Sequence, residues 1–293
     1  MRMALRLRRK RRDAPRDGHV VIDASPGTLD LRLGDLWRYR ELVWLLTRRS
    51  FVVTYKQTVL GPLWLVLSPL LTSVAYVVLF GRIAGLSTEG VPQLLFYLLG
   101  TAAWTCFSAC VSKCASTFVN NAGVFSKVWF PRLAVPVSTV LGAFVRLVIQ
   151  LVLVLAFIVW YVAHGVVAPR WELWLLVPLA VLQLGLLGMG CGIVVSSATT
   201  RYRDLSVLVE FGVTLWMYAT PVVYPLSQVP PALRGLVLAN PATAPVEWLR
   251  MALLGVGGVP VGAMVWSWVA TLAIVLLGVV VFNRVERTFV DTV

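Results

Sequence analysis

Residues that could carry out a chemical reaction are few in this chain. None of its four lysines follows a glycine, so the G-x-x-x-x-G-K-[ST] loop that binds nucleotide phosphates is missing. There are only two histidines, and no acidic residues are spaced as a D-x-D pair for a metal-bound diphosphate. The sequence therefore predicts a protein that is not an enzyme and does not hydrolyse ATP by itself.

Two ionisable residues within apolar runs are candidates for a transport function. Glu210 and Arg146 could belong to a proton relay, which would make the chain a proton-coupled lipid or glycan flippase. Alternatively, each lies near the end of its helix, where arginine reaches the headgroups and Glu210 meets headgroups or Arg203. Because a single carboxylate is weak evidence for a proton relay, we favour the interpretation that each residue lies near the end of its helix.

Three cysteines and many aromatic residues could form other kinds of site. Cys106, Cys110 and Cys114 recur every four residues on one helical face, but no histidine or carboxylate lies near them to complete a zinc site. We therefore predict no metal, and expect these small residues to allow close helix packing. Most aromatic residues are expected in interfacial belts or core packing. Four are candidates for stacking on sugar rings along a substrate path: Tyr76, Trp216, Tyr218 and Tyr224.

The composition predicts an all-α membrane protein that positions these residues in a helical bundle. Of the 293 residues, 59% are hydrophobic and 13% are charged, against roughly 25% charged in soluble domains. The apolar runs approach or exceed the roughly 20 residues that cross a membrane as a helix, and they do not alternate as barrel strands do. We predict six transmembrane helices, at about 61–81, 92–115, 137–163, 173–196, 205–224 and 261–283.

Positive charge is concentrated before the first predicted span. The net charge is +13, and residues 1–58 hold 14 of the 26 lysines and arginines. This asymmetry predicts that both termini, including residues 284–293, are cytoplasmic. Residues 1–30 are expected to form a disordered basic tail drawn to anionic lipid; they lack the interleaved aromatic residues of a nucleic-acid-binding segment, so no nucleic-acid partner is predicted. The cations assigned to the outer side are Arg82, Arg170, Arg234 and Arg250.

An amphipathic helix lying in the membrane interface is predicted within residues 31–58. Arg38, Arg40, Arg48 and Arg49 give this helix a basic side. The alternative is an ordinary amphipathic helix packed on a protein partner, and both can hold at once. The residues assigned to the apolar side of this interface helix are Leu36, Tyr39, Val43 and Leu46, with Trp37 beside them.

Two further segments are neither ordinary spans nor ordinary loops. The stretch VFSKVWFPRLAVP, residues 124–136, is too charged and proline-rich to cross a membrane but too apolar for a simple solvated loop. We interpret it as a surface that another protein grips. Residues 225–257 are semi-apolar and broken by prolines. We expect short re-entrant or interfacial helices there on the outer side, with a surface loop as the alternative.

Six motifs, found in order along the chain, make it similar to a known family. They are YKQTVLGPLW (55–64), VNNAGVFSKVWFPRLAVPVS (119–138), RYRDL (201–205), TPVVYPLSQVP (220–230), NPAT (240–243) and ERTFVD (286–291). Together they resemble the permease subunit of ABC-2 type exporters of O-antigen, teichoic acid and related cell-surface polysaccharides, over about residues 35–293.

The resemblance implies that a separate ABC ATPase subunit, which binds ATP and Mg²⁺, docks on a cytoplasmic coupling helix over about residues 120–132. Pro131 and Pro136 would end that helix before the third span. Its apolar side chains would fill a pocket on the ATPase, and the RYRD loop would be a second contact. The coupling residues are Asn120, Val124, Phe125, Lys127, Val128, Trp129, Phe130, Pro131, Arg132, Arg201, Arg203 and Asp204.

The resemblance also implies a homodimer of permeases bound to two ATPases in the bacterial inner membrane. The transmembrane domain would cover residues 59–283, with an outer gate at 225–257, and would move a lipid-linked polysaccharide outward along the dimer interface. An ABC-2 exporter of another lipid or a drug is the alternative within the family. The sequence departs from the family at Arg146, where members often carry an acidic residue, and in its arginine-rich tail before residue 30.

Overall fold

The computed structural model describes residues 33–56, 58–125, 130–202 and 204–292, and the regular structure in these ranges is helical. This confirms the all-α prediction for the described residues. The α-helices, in chain order, are α1 (Leu33–Arg38), α2 (Arg40–Tyr55), α3 (Trp64–Tyr76), α4 (Gln93–Ala115), α5 (Thr117–Phe125), α6 (Ala134–Ala163), α7 (Val177–Arg201), α8 (Leu205–Tyr218), α9 (Pro231–Ala239), α10 (Thr243–Leu254) and α11 (Val261–Thr292).

Five helical segments of the described chain are long and apolar enough to cross a membrane. Some include 3-10 or π-helical turns that continue an α-helix, as at Val77–Ile83 after α3. Each has at least 23 residues, above the roughly 20 that span the hydrocarbon core. The chain is therefore a multi-pass helical membrane protein. The five segments are Gly61–Ile83, Gln93–Ala115, Ala134–Ala163, Trp171–Thr199 and Val261–Arg284.

The predicted span at residues 205–224 is not confirmed as a helix of that length. Helix α8 has 14 residues and ends at Tyr218. At about 1.5 Å per residue it is about 21 Å long, short of the roughly 30 Å hydrocarbon core. The chain beyond it contains Pro221 and Pro225, which cannot donate a helical hydrogen bond. Hydropathy alone therefore overestimates the length of this helix.

Helices α4 and α7 are the most buried of the long helices, and they approach each other through glycines of α7. A Cβ atom added to Gly188 would lie 2.7 Å from the Cβ of Cys110, and one added to Gly192 would lie 2.6 Å from the Cβ of Cys114. Gly190 makes a similar close approach to α11. The absence of side chains on these glycines thus allows tight packing within one chain.

Replacing Gly188 by valine is expected to lower the thermal stability of the detergent-purified protein, because the new side chain forces α4 and α7 apart. Overpacking of this kind costs about 1–3 kcal/mol of unfolding free energy. The matched control is Gly212→Val in α8, where nothing lies within 4 Å of an added Cβ. Thermal unfolding should give a lower midpoint for Gly188→Val than for Gly212→Val, and equal midpoints would contradict this packing.

Helices α1 and α2 pack their predicted apolar side on the chain itself. The Thr47 hydroxyl oxygen lies 2.8 Å from the carbonyl oxygen of Val43 and 3.2 Å from that of Ser138 in α6. The apolar side of this amphipathic helix is therefore packed on protein, as the alternative interpretation predicts, and that protein is the rest of the same chain. The predicted apolar residues in this contact are Leu36, Tyr39, Val43 and Leu46. The exposed apolar side chains on these helices include Trp37, Trp44 and Leu45.

Candidate functional site

Arg250 in α10 is the centre of a buried polar site at the end of the bundle where α4 begins. Although charged, Arg250 is only 1% exposed. Its Nη1 donates a hydrogen bond to Oε1 of Glu247 at 2.7 Å, and its guanidinium carbon lies 3.9 Å from the centroid of the Phe96 ring. The guanidinium also donates to the backbone carbonyl oxygens of Pro221, Val222 and Tyr224. We call these side chains, together with residues 219–225, the Arg250 site.

The Arg250 site holds a non-helical segment of backbone, residues 219–225. Five of these seven residues are buried, which keeps their carbonyl groups from water. Buried carbonyl groups need hydrogen-bond donors from the protein, and the guanidinium supplies them to Pro221, Val222 and Tyr224. Gly100 of α4 makes room for the contact, because a Cβ there would lie 2.6 Å from the carbonyl oxygen of Val222.

Glu247 and Arg250 depend on each other in this environment. Burial raises the pKa of the Glu247 carboxyl, and the neighbouring guanidinium opposes that rise. Gly257 lies directly against the carboxylate, since an added Cβ would be 2.7 Å from Oε2. Loss of either charged partner would leave the other buried without compensation, which is strongly destabilising.

Sequence patterns did not predict the Arg250 site. Arg250 was counted among the cations of the outer side, and its burial against Glu247 was not expected. The available signal was the spacing of these two opposite charges, three residues apart on one helical face in an otherwise mostly apolar segment. The carbonyl groups that accept hydrogen bonds from the guanidinium belong to residues more than 20 positions before Arg250 in the sequence. No local sequence pattern can predict these contacts.

A polar cavity of about 330 Å³ lies beside the Arg250 site. Within it, the Ser227 hydroxyl donates a hydrogen bond to the Glu89 carboxylate. Glu89 adopts a φ of 55°, an uncommon backbone conformation for a residue other than glycine. The cavity lies between the α3–α4 loop, the segment that leads into α9, α9 itself and the α10–α11 loop. Its lining residues are Glu89, Leu226, Ser227, Arg234, Gly257 and Gly258.

Two of the four aromatic residues that are candidates for the substrate path form hydrogen bonds with other side chains. The hydroxyl of Tyr76 lies 3.8 Å from the sulfur of Met217. The indole nitrogen of Trp216 donates to Oδ1 of Asn240 at 3.0 Å, and its ring centroid lies 5.1 Å from that of Phe107. Both side chains are half-buried and contribute to packing around α8.

The other two candidates contact each other at the end of α8. The Tyr224 hydroxyl donates to the carbonyl oxygen of Tyr218 at 3.1 Å. Tyr218 itself is 49% exposed, while Tyr224 is half-buried and its own carbonyl oxygen accepts from Arg250. Tyr218 therefore has the most accessible ring of the four.

The predicted coupling segment begins with α5, which follows α4 after a break at Ser116. Of the helix predicted over 120–132, residues 120–125 are helical, and the chain is described again from Phe130 as a turn that leads into α6. Pro136 therefore lies in the first turn of α6 and does not end the coupling helix. Proline is tolerated there because the N–H groups of a first turn lack helical partners.

Phe130 packs inside the chain. It is 7% exposed and belongs to a cluster with Val43 of α2, Phe118 of α5 and Phe282 of α11. The rings of Phe118 and Phe282 are 4.7 Å apart. This differs from the prediction that Phe130 fills a pocket on the ATPase, and it ties the end of the coupling segment to three other helices.

The remaining predicted coupling residues within the described ranges lie at the end of the bundle where α4 ends. Asn120 and Asp204 are exposed, Arg132 is half-buried and Pro131 is buried. Val124, Phe125 and Arg201 are in helices α5 and α7, of which only the backbone is described at these positions. The predicted residues outside the described ranges are Lys127, Val128, Trp129 and Arg203.

Comparisons with known proteins found chains similar to this one. The family model described as "ABC-2 type transporter" matches residues 41–254. A relative from Myxococcus xanthus, named O-antigen export system permease protein RfbA, is 31% identical over 212 residues, which cover 71% of this chain and 78% of the relative. A relative of the same name from Klebsiella pneumoniae is 23% identical over 252 residues, which cover 86% of this chain and 94% of the relative.

Proposed function

Because the chain belongs to the ABC-2 type transporter family, we propose that it is the permease subunit of an ATP-driven exporter of a lipid-linked polysaccharide. The family match over residues 41–254 carries this proposal. The names of the relatives support O-antigen or a similar envelope glycan, such as teichoic acid, as the cargo. The exporter would move the glycan from the cytoplasm to the outer face of the bacterial inner membrane.

The chain would cross this membrane six times, with α8 and residues 219–225 together forming one crossing. Met217 of α8 reaches Tyr76, and the next turn reaches Gly100, so this segment runs toward the end where α4 begins. An even number of crossings puts both termini on one side. The cytoplasm is favoured for that side by the 14 lysines and arginines among residues 1–58.

ATP hydrolysis would be performed by a separate ATPase, because this chain has no phosphate-binding loop. Two permeases and two ATPases would form the exporter, with ATP and Mg²⁺ bound by the ATPases. The segment from α5 to α6 would dock on the ATPase, and Trp129 is the anchor that its composition favours. Because Phe130 packs with Val43 and Phe282, a displacement of the docked segment would be passed to α2 and α11.

Helices α9 and α10 would form the outer gate. Helix α9 has no buried residue, and its Leu233 and Leu236 are exposed. Helix α10 is almost wholly buried and is fixed by the Arg250 site. These contrasting contacts support a gate in which α9 moves and α10 stays in place. Reconstituted transport with and without the ATPase tests the proposed function.

A further inference from the structure

The side-chain hydrogen bonds that hold helix α9 are confined to one of its ends. In the described parts of the chain, all of them reach its last turn. The Thr243 hydroxyl donates to the carbonyl oxygen of Val237 at 2.6 Å, and the indole nitrogen of Trp266 in α11 donates to that of Ala239 at 2.9 Å. Nearer its start, the helix has no buried residue, and Arg234 borders the polar cavity. Helix α9 therefore has the contacts of a lever that is held at its C-terminal end.

Asn240, the residue after α9, ties this end of the helix to α8. Its Oδ1 accepts hydrogen bonds from the indole nitrogen of Trp216 and the backbone nitrogen of Ala242, both at 3.0 Å. Its Nδ2 donates to the hydroxyl oxygen of Thr220 at 2.9 Å and lies 3.4 Å from the carbonyl oxygen of Ala219. Because indole and backbone N–H groups can only donate, they fix which end of the amide is the oxygen. One side chain thus uses both of its polar atoms to join the ends of α8 and α9.

The backbone at Asn240 is where α9 can turn against α10. Asn240 has φ −69° and ψ 116°, an extended conformation that interrupts the helix. Pro241 favours this conformation, because a proline disfavours helical backbone in the residue before it. The carbonyl oxygen of Pro241 accepts a hydrogen bond from Ser267 of α11 at 2.6 Å, and α10 is fixed by the Arg250 site. The break at Asn240 therefore lies between a largely exposed helix and a buried one.

Trp216 connects this break to the interior of the bundle. Its ring centroid lies 5.1 Å from that of Phe107 in α4, and the two rings are nearly perpendicular. The neighbouring Met217 is buried, and its sulfur lies 3.8 Å from the hydroxyl of Tyr76. If α8 shifts against α4, Trp216 must either carry Asn240 with it or leave a half-buried N–H group without an acceptor, which costs free energy. A movement of α8 is therefore passed to the end of α9.

We propose that Asn240 is the pivot of α9 and that its hydrogen bond from Trp216 makes the position of this helix depend on α8. The proposal rests on the proposed function, in which α9 moves as part of the outer gate. Trp216 is then a positioning residue, which acts on the gate through Asn240 and does not need to touch the glycan.

The test is the distance between spin labels at Leu236→Cys in α9 and Val159→Cys in α6, measured in the full-length permease in nanodiscs. Both positions are exposed. Cys191 is replaced by alanine, since it is half-buried, and the other three native cysteines are buried. Adding Asn240→Ala to this labelled parent should broaden the distance distribution, because α9 loses its attachment to α8.

Trp216→Phe is the decisive variant, because it removes the indole N–H group and keeps an aromatic ring beside Phe107. It should broaden the distribution as well. The matched control is Trp174→Phe, which removes an indole hydrogen bond of the same length, 3.0 Å, to the carbonyl oxygen of Ala252 in α10. This control should leave the distribution as in the labelled parent, and equal distributions for the two variants would overturn the pivot.

Thermal unfolding separates positioning from a merely structural role. Both tryptophan variants lose one hydrogen bond of a half-buried indole and should lower the unfolding midpoint by similar amounts. Broadening in Trp216→Phe alone is then not an effect of lost stability.

The same labels in the complex with the ATPase distinguish this inference from the proposed function. ATP should shift the distance in the labelled parent, and Trp216→Phe should lose most of that shift while ATP hydrolysis continues. An undiminished shift in Trp216→Phe would overturn the role of Trp216. If the labelled parent shows no shift although its ATPase is bound and hydrolyses ATP, the proposed gate movement fails, and the distributions of the permease alone still decide whether Asn240 is the pivot.

Discussion

Substituting methionine for Arg250 is expected to destabilise the isolated permease by about 3–5 kcal/mol, the usual cost of breaking a buried ion pair. The change leaves the Glu247 carboxylate buried without a cation and removes the guanidinium that donates to the carbonyl groups of Pro221, Val222 and Tyr224. Thermal unfolding in detergent, followed by circular dichroism, should show a strongly lowered midpoint or no folded protein.

Two further variants sharpen this experiment. Arg170→Met removes an exposed arginine and should change the unfolding free energy by no more than about 0.5 kcal/mol. The double variant Glu247→Gln/Arg250→Met removes both charges and should recover part of the lost stability, because only the unsatisfied carbonyl groups remain. If Arg250→Met proves as stable as Arg170→Met, the Arg250 site does not hold the segment after α8.

Replacing Trp129 by alanine is expected to weaken ATPase binding by about 2 kcal/mol or more, which is roughly thirtyfold in affinity. The reason is that a tryptophan at the centre of the docking segment would bury a large apolar area against the ATPase. Phe130→Ala should behave differently, because Phe130 is already buried within the permease. It should lower the stability of the isolated permease by about 3–5 kcal/mol, with a smaller effect on the affinity of the folded fraction for the ATPase.

Equilibrium binding of the purified ATPase to each folded permease in nanodiscs measures both effects. Trp160→Ala is the matched control, since Trp160 is 62% exposed near the far end of α6. Its affinity for the ATPase should equal that of the wild type. Wild-type affinity of Trp129→Ala would place the main ATPase contact outside the segment between α5 and α6.

The long helices could be predicted from the sequence because their signal is local. A run of some 20 apolar residues has few alternatives to a membrane helix, and the five long segments lie where such runs occur. Residues 205–224 form such a run too, yet the helix stops at Tyr218. There the backbone is satisfied by a guanidinium from α10, a contact between residues distant in sequence that hydropathy does not record.

The candidate site shows the same division between local and distant information. Periodicity identified Val43 and its neighbours as one face of a helix, but it did not say whether lipid or protein covers that face. Composition indicated that another protein binds residues 124–136, but it did not show that the chain itself buries Phe130. Which surface buries an apolar side chain is decided by tertiary packing, so it has no local signature.

Transport of a lipid-linked glycan into proteoliposomes tests the central claim most directly. The permease would be reconstituted alone and with its ATPase, with and without ATP, and with a protonophore to abolish any proton gradient. We expect translocation only when the permease, the ATPase and ATP are all present, and we expect the protonophore to have no effect. Translocation by the permease alone, driven by a proton gradient and abolished by Glu210→Gln, would contradict ATP-driven export and would assign transport to a proton relay.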